Sequence, residues 1–374
     1  MPPLPTPNTC AVFHPDKLPF CEDFTALPNS PLLLLSCDPA RHFKGVHPSH
    51  PPPGELWLFD PTAPQTPPIQ ILIPVTDFRP LGLSATKGEH GVRVFVTNQA
   101  RTGARVEVLD LDLPRQRATH VATIRHPLIH SPNAVAAVSK DGFYLTNDAF
   151  FAHISTVGVI AEALSGLPGG SLIYVSTLDL AQPKAKRIVR LPLANGVAVD
   201  PEKQRLWVAG MGMGVYQYVY DARDPTVVEA GAFLRTAMLP DNILFSPATG
   251  GVYVSGITSL RAMGRAMGDE RAVGPPSLTA QLLPKVPKTA EKAKVAWRGN
   301  DVANVALRRD EWRWGTVFVD NGTFFGGVST GAVLEGGRFV GVSLVARGVV
   351  VCEEVPVKGG TVPEVKKESV KDEL

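Results

Sequence analysis

A two-strand unit recurs along the chain, and this recurrence constrains the fold more than any single run of residues. Each copy opens with a turn residue and an apolar run, crosses a tight turn, and closes in a second β-rich run. Three copies are clear: Pro132-Asn133-Ala134-Val135 leads to Phe143-Tyr144-Leu145-Thr146-Asn147, Ala194-Asn195-Gly196-Val197 to Leu206-Trp207-Val208-Ala209-Gly210, and Asp241-Asn242-Ile243-Leu244 to Val252-Tyr253-Val254-Ser255-Gly256. A fourth runs from Gly82 to Asn98. The starts at 82, 133, 195 and 242 are spaced by 51, 62 and 47 residues, and the ends at 98, 147, 210 and 256 keep step at 49, 63 and 46. Weaker copies around Asn29 and Gly322 bring the number to six. A period of roughly 40–60 residues holding several strands is the pattern of β-propeller blades, because one blade cannot bury its sheet faces alone. The reading is all-β, a six-bladed β-propeller occupying 1–353.

The last interval is stretched by Leu260 to Asn300, which contains Gly274-Pro275-Pro276 and Pro284-Lys285-Val286-Pro287. It reads as an inserted loop at about 260–300 with a helical series near Arg261–Asp269, and either a solvated loop or a substrate cover fits. Residues 354–374 alternate Lys, Glu, Val and Gly without periodicity and are expected to be a disordered tail. Trp57, Trp207, Trp297, Trp312 and Trp314 lie in or beside strand patterns, where packing between blades is their expected role. No run of 18 apolar residues exists, and a net charge of +2 without a basic block removes the footprint of a nucleic-acid binder.

Cysteines stand at 10, 21, 37 and 352, with no CxxC spacing. Four buried thiols or paired bridges both fit that count. The terminal Lys371-Asp372-Glu373-Leu374 favours an oxidising compartment, as does the sequon Asn321-Gly322-Thr323. The expected location is the secretory pathway, in the endoplasmic reticulum lumen or secreted, although Met1-Pro2-Pro3-Leu4-Pro5 carries no apolar signal region.

In a propeller, residues at equal phase of each repeat meet at the axis. Those residues here are Asn147-Asp148, Asn195 and Asp241-Asn242, a set of short oxygen-bearing side chains without His or Cys. Turn chemistry accounts for any one of them. Recurring in phase, they suit a hard cation, and Ca²⁺ takes six to eight oxygens in a flexible shell.

Glu22-Asp23 with Leu27-Pro28-Asn29, then Phe143-Tyr144-Leu145-Thr146-Asn147-Asp148, Leu193-Ala194-Asn195-Gly196 and Asp241-Asn242, in that order, resemble the serum paraoxonase/arylesterase family over roughly Cys10 to Cys352. The resemblance implies a propeller with two calcium ions in its tunnel. It implies that Glu22, Asn147, Asn195, Asp241 and Asn242 hold one ion, and that Asp23, Asp148 and the backbone carbonyl of Leu83 hold a second, buried one. It further implies a bond between Cys10 and Cys352 that closes the ring. That Cys21 and Cys37 then pair is an inference from the count.

The chain departs from the family at its proton-transfer positions. Family hydrolases carry one His in a Pro-His-Gly motif and another after a strand-end Asn, where this chain has Pro80-Leu81-Gly82 and Asn98-Gln99. Leu81 cannot accept a proton and a Gln amide has no useful basicity near neutral pH. His153, just after the metal motif, is the substitute by position, and no Gly-x-Ser-x-Gly elbow is present. Three functions are therefore expected in competition: calcium-dependent hydrolysis of an ester or lactone of a hydrophobic small molecule, a non-hydrolytic cyclase or isomerase using the same tunnel, and a non-catalytic ligand-binding propeller.

Overall fold

The computed structural model describes residues 9–41, 52–89, 91–150, 165–211, 214–269, 271–284 and 312–353, together with Gly158 and Glu162. His153, Trp297, the terminal KDEL and the 354–374 segment lie outside the described residues. The first strand, β1 (Cys10–Phe13), precedes the repeats. Blade 1 contains β2 (Cys21–Ala26), β3 (Leu33–Cys37), β4 (Glu55–Phe59) and β5 (Ile69–Ile71). Blade 2 contains β6 (Pro80–Lys87), β7 (Val92–Asn98), β8 (Arg105–Asp112) and β9 (Arg117–Ile124). Blade 3 follows with β10 (Pro132–Ser139), β11 (Gly142–Asn147), β12 (Gly170–Ser176) and β13 (Lys184–Leu191). Blade 4 has β14 (Ala194–Asp200), β15 (Arg205–Gly210), β16 (Gly214–Tyr220) and β17 (Val228–Leu234). Blade 5 has β18 (Leu239–Ser246), β19 (Gly251–Ile257), β20 (Ser277–Pro284) and β21 (Trp312–Asp320). Blade 6 has β22 (Val328–Val333), β23 (Phe339–Ser343) and β24 (Val349–Cys352), and β1 pairs with β24 to supply its fourth strand.

The sheets are antiparallel, and the leading strands touch in a closed cycle, β2–β6–β10–β14–β18–β22 and back to β2. The six-bladed β-propeller expected from the repeat is thus the fold. Strand periodicity explains how it holds together. In β7, Val92, Val94 and Val96 join the apolar layer against blade 1, whereas Phe95 points the other way into the layer against blade 3. In β15, Leu206 and Val208 face blade 3 while Trp207 and Ala209 face blade 5. A two-residue side-chain period therefore feeds two neighbouring cores from one strand. Each fully buried Leu or Val contributes about 1.5–3 kcal/mol relative to exposure. Trp207 is buried and stacks on Phe245 with centroids 6.3 Å apart, the inter-blade packing expected of it.

Two disulfides form, Cys10–Cys352 and Cys21–Cys37. Each joins residues that are paired across adjacent strands. The stretch expected as one insertion is divided. Helix α1 (Leu260–Gly268) is capped by Ser259, whose hydroxyl accepts from the Ala262 N–H, and Ser277–Pro284 is a strand of blade 5 rather than loop. Leu278, Ala280 and Leu282 alternate inward there, a period-2 pattern that the flanking prolines obscure in sequence. Residues 285–311 lie outside the described residues.

Candidate functional site

All six leading strands break register at one phase. The irregularity falls at Glu22 in β2, Leu81-Gly82 in β6, Asn133-Ala134 in β10, Asn195-Gly196 in β14, Asp241-Asn242 in β18 and Ser329 in β22. A bulge unpairs a residue and re-aims its side chain, and here six of them encircle the axis. Two glycines let the bulges close up. A Cβ on Gly196 would stand 2.5 Å from the Asn242 Cα, and one on Gly82 2.6 Å from the Ala134 Cα.

The bulged residues form a fixed polar ring. The Asn242 amide donates to Glu22 Oε1 at 2.7 Å and to Thr330 Oγ1 at 2.9 Å. Ser329 and Thr330 hydroxyls donate to the Glu22 carbonyl at 2.6 and 3.0 Å. The Thr146 hydroxyl donates to the Asn195 carbonyl and the Thr97 hydroxyl to the Asn133 carbonyl. With these groups held, Glu22 Oε2, Asn133 Oδ1, Asn195 Oδ1 and Asn242 Oδ1 remain buried and receive no hydrogen bond. Four stranded acceptors on four of the six bulges lack a positive partner, a costly arrangement unless something supplies it.

Electrostatics point the same way. Burial, reinforced by the charge of Glu22, pushes the Asp241 carboxyl up to about 8 against the pull of an Asn195 hydrogen bond. Burial likewise raises Glu22, opposed by the Arg41 charge and the Asn242 hydrogen bond. Asp23 is raised well above the usual range by burial and then by Glu22. Among the described residues no three His, Cys, Asp or Glu side chains converge, so a cation here must draw on amide oxygens. Below the ring a cavity of about 240 Å³ runs along the axis, polar at Asp23 and Asn242 and apolar further along at Ala85, Ala136, Val199 and Phe245.

The ring brings together Glu22, Asn195, Asp241 and Asn242 of the expected ligands. Asn147 is engaged elsewhere: its Oδ1 accepts from His130 and Ser131 N–H groups at 3.0 and 3.1 Å, and its amide nitrogen donates to the Leu128 carbonyl and Ser171. Asn98, at the same phase of blade 2, does equivalent work on Arg79 and Asp77. Asp23 accepts from the N–H groups of Leu83 and Phe24, and Asp148 accepts from the Ala149 N–H with its carboxyl raised by burial and by Glu162. Leu81 is buried at 8 % exposure, and Gln99 is exposed with its amide donating to the Pro132 carbonyl. Asn133 was not among the expected ligands, although it stands at the phase of Asn195 in the repeat. His130, packed edge-on to Phe150 at 6.1 Å, is a second residue the motifs did not single out.

A model of the family described as Arylesterase matches residues 21–263, well over half of the chain. The chain belongs to the arylesterase family. Serum paraoxonase/arylesterase 2 of Gallus gallus is 27% identical over 237 residues, covering 62% of this chain and 64% of the relative. Serum paraoxonase/arylesterase 1 of Homo sapiens is 26% identical over 265 residues, covering 66% and 72%. The alignment to the Gallus gallus relative thus spans somewhat under two thirds of that protein's length. A solved gluconolactonase from Xanthomonas campestris superposes with a TM-score of 0.51 at 12% identity, over 90% of this chain and 87% of that one, which is a likeness of fold. This arylesterase-family chain carries its polar ring inside the matched segment except for Ser329 and Thr330.

Proposed function

We propose that this arylesterase-family chain binds a hard divalent cation, Ca²⁺, at the bulge ring and acts on an ester or lactone of a hydrophobic small molecule. The observation that carries the reading is the set of four buried, donor-less oxygens on Glu22, Asn133, Asn195 and Asn242. With the Asp241 carboxylate they make an all-oxygen donor set of the kind Ca²⁺ takes. When bound, the ion supplies Lewis-acid polarisation of a carbonyl oxygen. The protein's own part is positional. Asn242 and Thr330 hold Glu22 in one orientation, and Leu81 presents an apolar wall where the family resemblance leads one to expect a base. A second ion at Asp23, Asp148 and the Leu83 carbonyl belongs to the same proposal and rests on the family resemblance alone; here Asp23 accepts the Leu83 N–H and Asp148 the Ala149 N–H.

Topology supports an apolar substrate. The strands that follow each leading strand end on the face where the leading strands begin, so the loops there surround the ring. Those loops carry Phe150, Leu167, Leu260, Val273 and Phe324, five large apolar side chains left exposed. The test is calcium analysis of the purified protein, followed by turnover of an aryl ester and a lactone series with and without chelator. Calcium-dependent lactone turnover is expected, with Glu22→Gln losing both metal and rate; a metal-free protein with unchanged turnover overturns the reading. The cyclase or isomerase reading is favoured by one observation, that neither Leu81 nor Gln99 supplies a base; oxygen-18 from solvent water appears in the product only if the reaction is hydrolysis. Two disulfides and an exposed sequon, where Asn321 Oδ1 accepts from Thr323, support a route through the secretory pathway with a glycan on Asn321. Among the described residues no helix is long and apolar enough to cross a membrane.

A further inference from the structure

Arg41 stands on the turn after β3, fixed by Asp38, whose carbonyl accepts the Arg41 N–H and whose side chain accepts the Ala40 N–H. One guanidinium nitrogen, Nη2, donates to the Pro80 carbonyl at 2.7 Å, at the entrance to the blade 2 bulge. Its Nε is buried and bonds to nothing. The neighbouring Arg79 differs, being paired with Asp38 at 2.8 Å and donating to the Pro52 carbonyl. Among the described residues no carboxylate lies within ion-pair distance of Arg41. Its charge nevertheless reaches Glu22 and Asp241, the two acids of the ring.

Charge counting then becomes informative, and it rests on the cation reading above. Glu22 and Asp241 neutralise the divalent ion of the ring and Asp23 is assigned to the second, which leaves the half-buried Arg41 without an ion-pair partner among the described residues. A buried or partly buried charge without a partner is unfavourable, and the planar guanidinium fork matches a carboxylate bidentately. We infer that Arg41 anchors a carboxylate, so that the ligands of this tunnel are monoanionic acids bearing an apolar body, whether as substrate or as the acid released on opening an ester or lactone. The apolar part would lie against Leu81 and the exposed side chains of the surrounding face, with the acid group at Arg41.

Titration calorimetry of calcium-saturated protein with phenylacetate and with its neutral isostere phenylacetamide tests this. Wild type should prefer the acid at least tenfold. Losing a charge-assisted hydrogen bond corresponds to roughly tenfold to hundredfold in affinity, so Arg41→Gln should weaken phenylacetate by that amount and leave phenylacetamide unchanged. Arg41→Lys should retain part of the preference. Titration of the chelated Arg41→Gln protein with Ca²⁺ should show tighter metal binding than wild type, because a nearby positive charge is gone. Equal binding of acid and amide by wild type overturns the inference, as does an Arg41→Gln variant that loses both ligands together with its thermal stability. Should wild type take up no calcium, the cation reading fails, and the acid-to-amide comparison in chelated protein still decides the role of Arg41.

Discussion

Asp241 shows how the ring titrates. Its carboxyl is pushed up to about 8 by burial and by Glu22, against an ordinary value of 3.8 in the unfolded chain. Between those values the folded state holds a proton that the unfolded state has released, so stability falls as pH rises. Metal-depleted protein should accordingly melt at a lower temperature at pH 8.5 than at pH 5.5, and added Ca²⁺ should recover more at the higher pH; thermal melts across that range check both. Leu81 and Gln99 give the second prediction at this scale. A positioned general base contributes about 10²–10⁴-fold, so simple aryl esters should be poor substrates, and His at both positions should raise phenyl acetate turnover within that range. Wild-type phenyl acetate turnover equal to that of the double variant would show that another base is at work. The candidate ligands on the inner strands were legible because Asn195 and Asp241-Asn242 recur in phase. Asn147 differs for a physical reason: a strand-end Asn can serve a tunnel or cap the preceding loop, the pattern of residues is the same for both, and here its side chain is bonded to the loop before β10 and to Ser171. Asn133 carried the phase signal without a neighbouring acid to draw attention to it.

At the scale of elements, six bulges at one phase do what the short motifs alone could not reveal. Only Gly82 and Gly196 hint at them in sequence, and they do so because the bulges of adjacent blades nearly touch. Gly196→Ala should cost about 1–3 kcal/mol through overpacking against Asp241 and Asn242, and should weaken Ca²⁺ binding more than a comparable change elsewhere on β14; denaturant unfolding and metal titration measure the two. The Cys21–Cys37 bridge sits one residue from the Glu22 bulge and pins it to β3. Replacing both cysteines with Ala should therefore lower metal affinity as well as stability. An unchanged calcium affinity in that variant would mean that β2 is held by Ser329 and Thr330 alone. Backbone conformation stayed hidden from the sequence at two entrances to the ring: Phe20 and Leu193 adopt φ of 48° and 43° just before β2 and β14, and neither residue type announces a left-handed backbone.

For the whole molecule, the repeat made the architecture readable because intervals near 50 residues leave few alternatives, while the boundary of blade 5 was missed where prolines interrupt the alternation of β20. The two bridges differ in what they constrain. Cys10–Cys352 closes 342 residues and Cys21–Cys37 closes 16, for which the chain-entropy relation gives about 6 and about 3 kcal/mol. Replacing the first pair with Ala should depress the melting temperature more than replacing the second, and non-reduced peptide mapping should show both cross-links in the native protein.

The blade 6 closure also sets an order of events. Glu22 is held by Ser329 and Thr330, 307 and 308 residues further on, and β1 waits for β24 before its edge is covered. A chain emerging from the ribosome can build blades 1 to 5 from local contacts, but β1 stays unpaired and the polar ring incomplete until blade 6 arrives. Ligand competence is thus acquired only once blade 6 has been made, and metal uptake by nascent or truncated chains reports whether the circle has been joined.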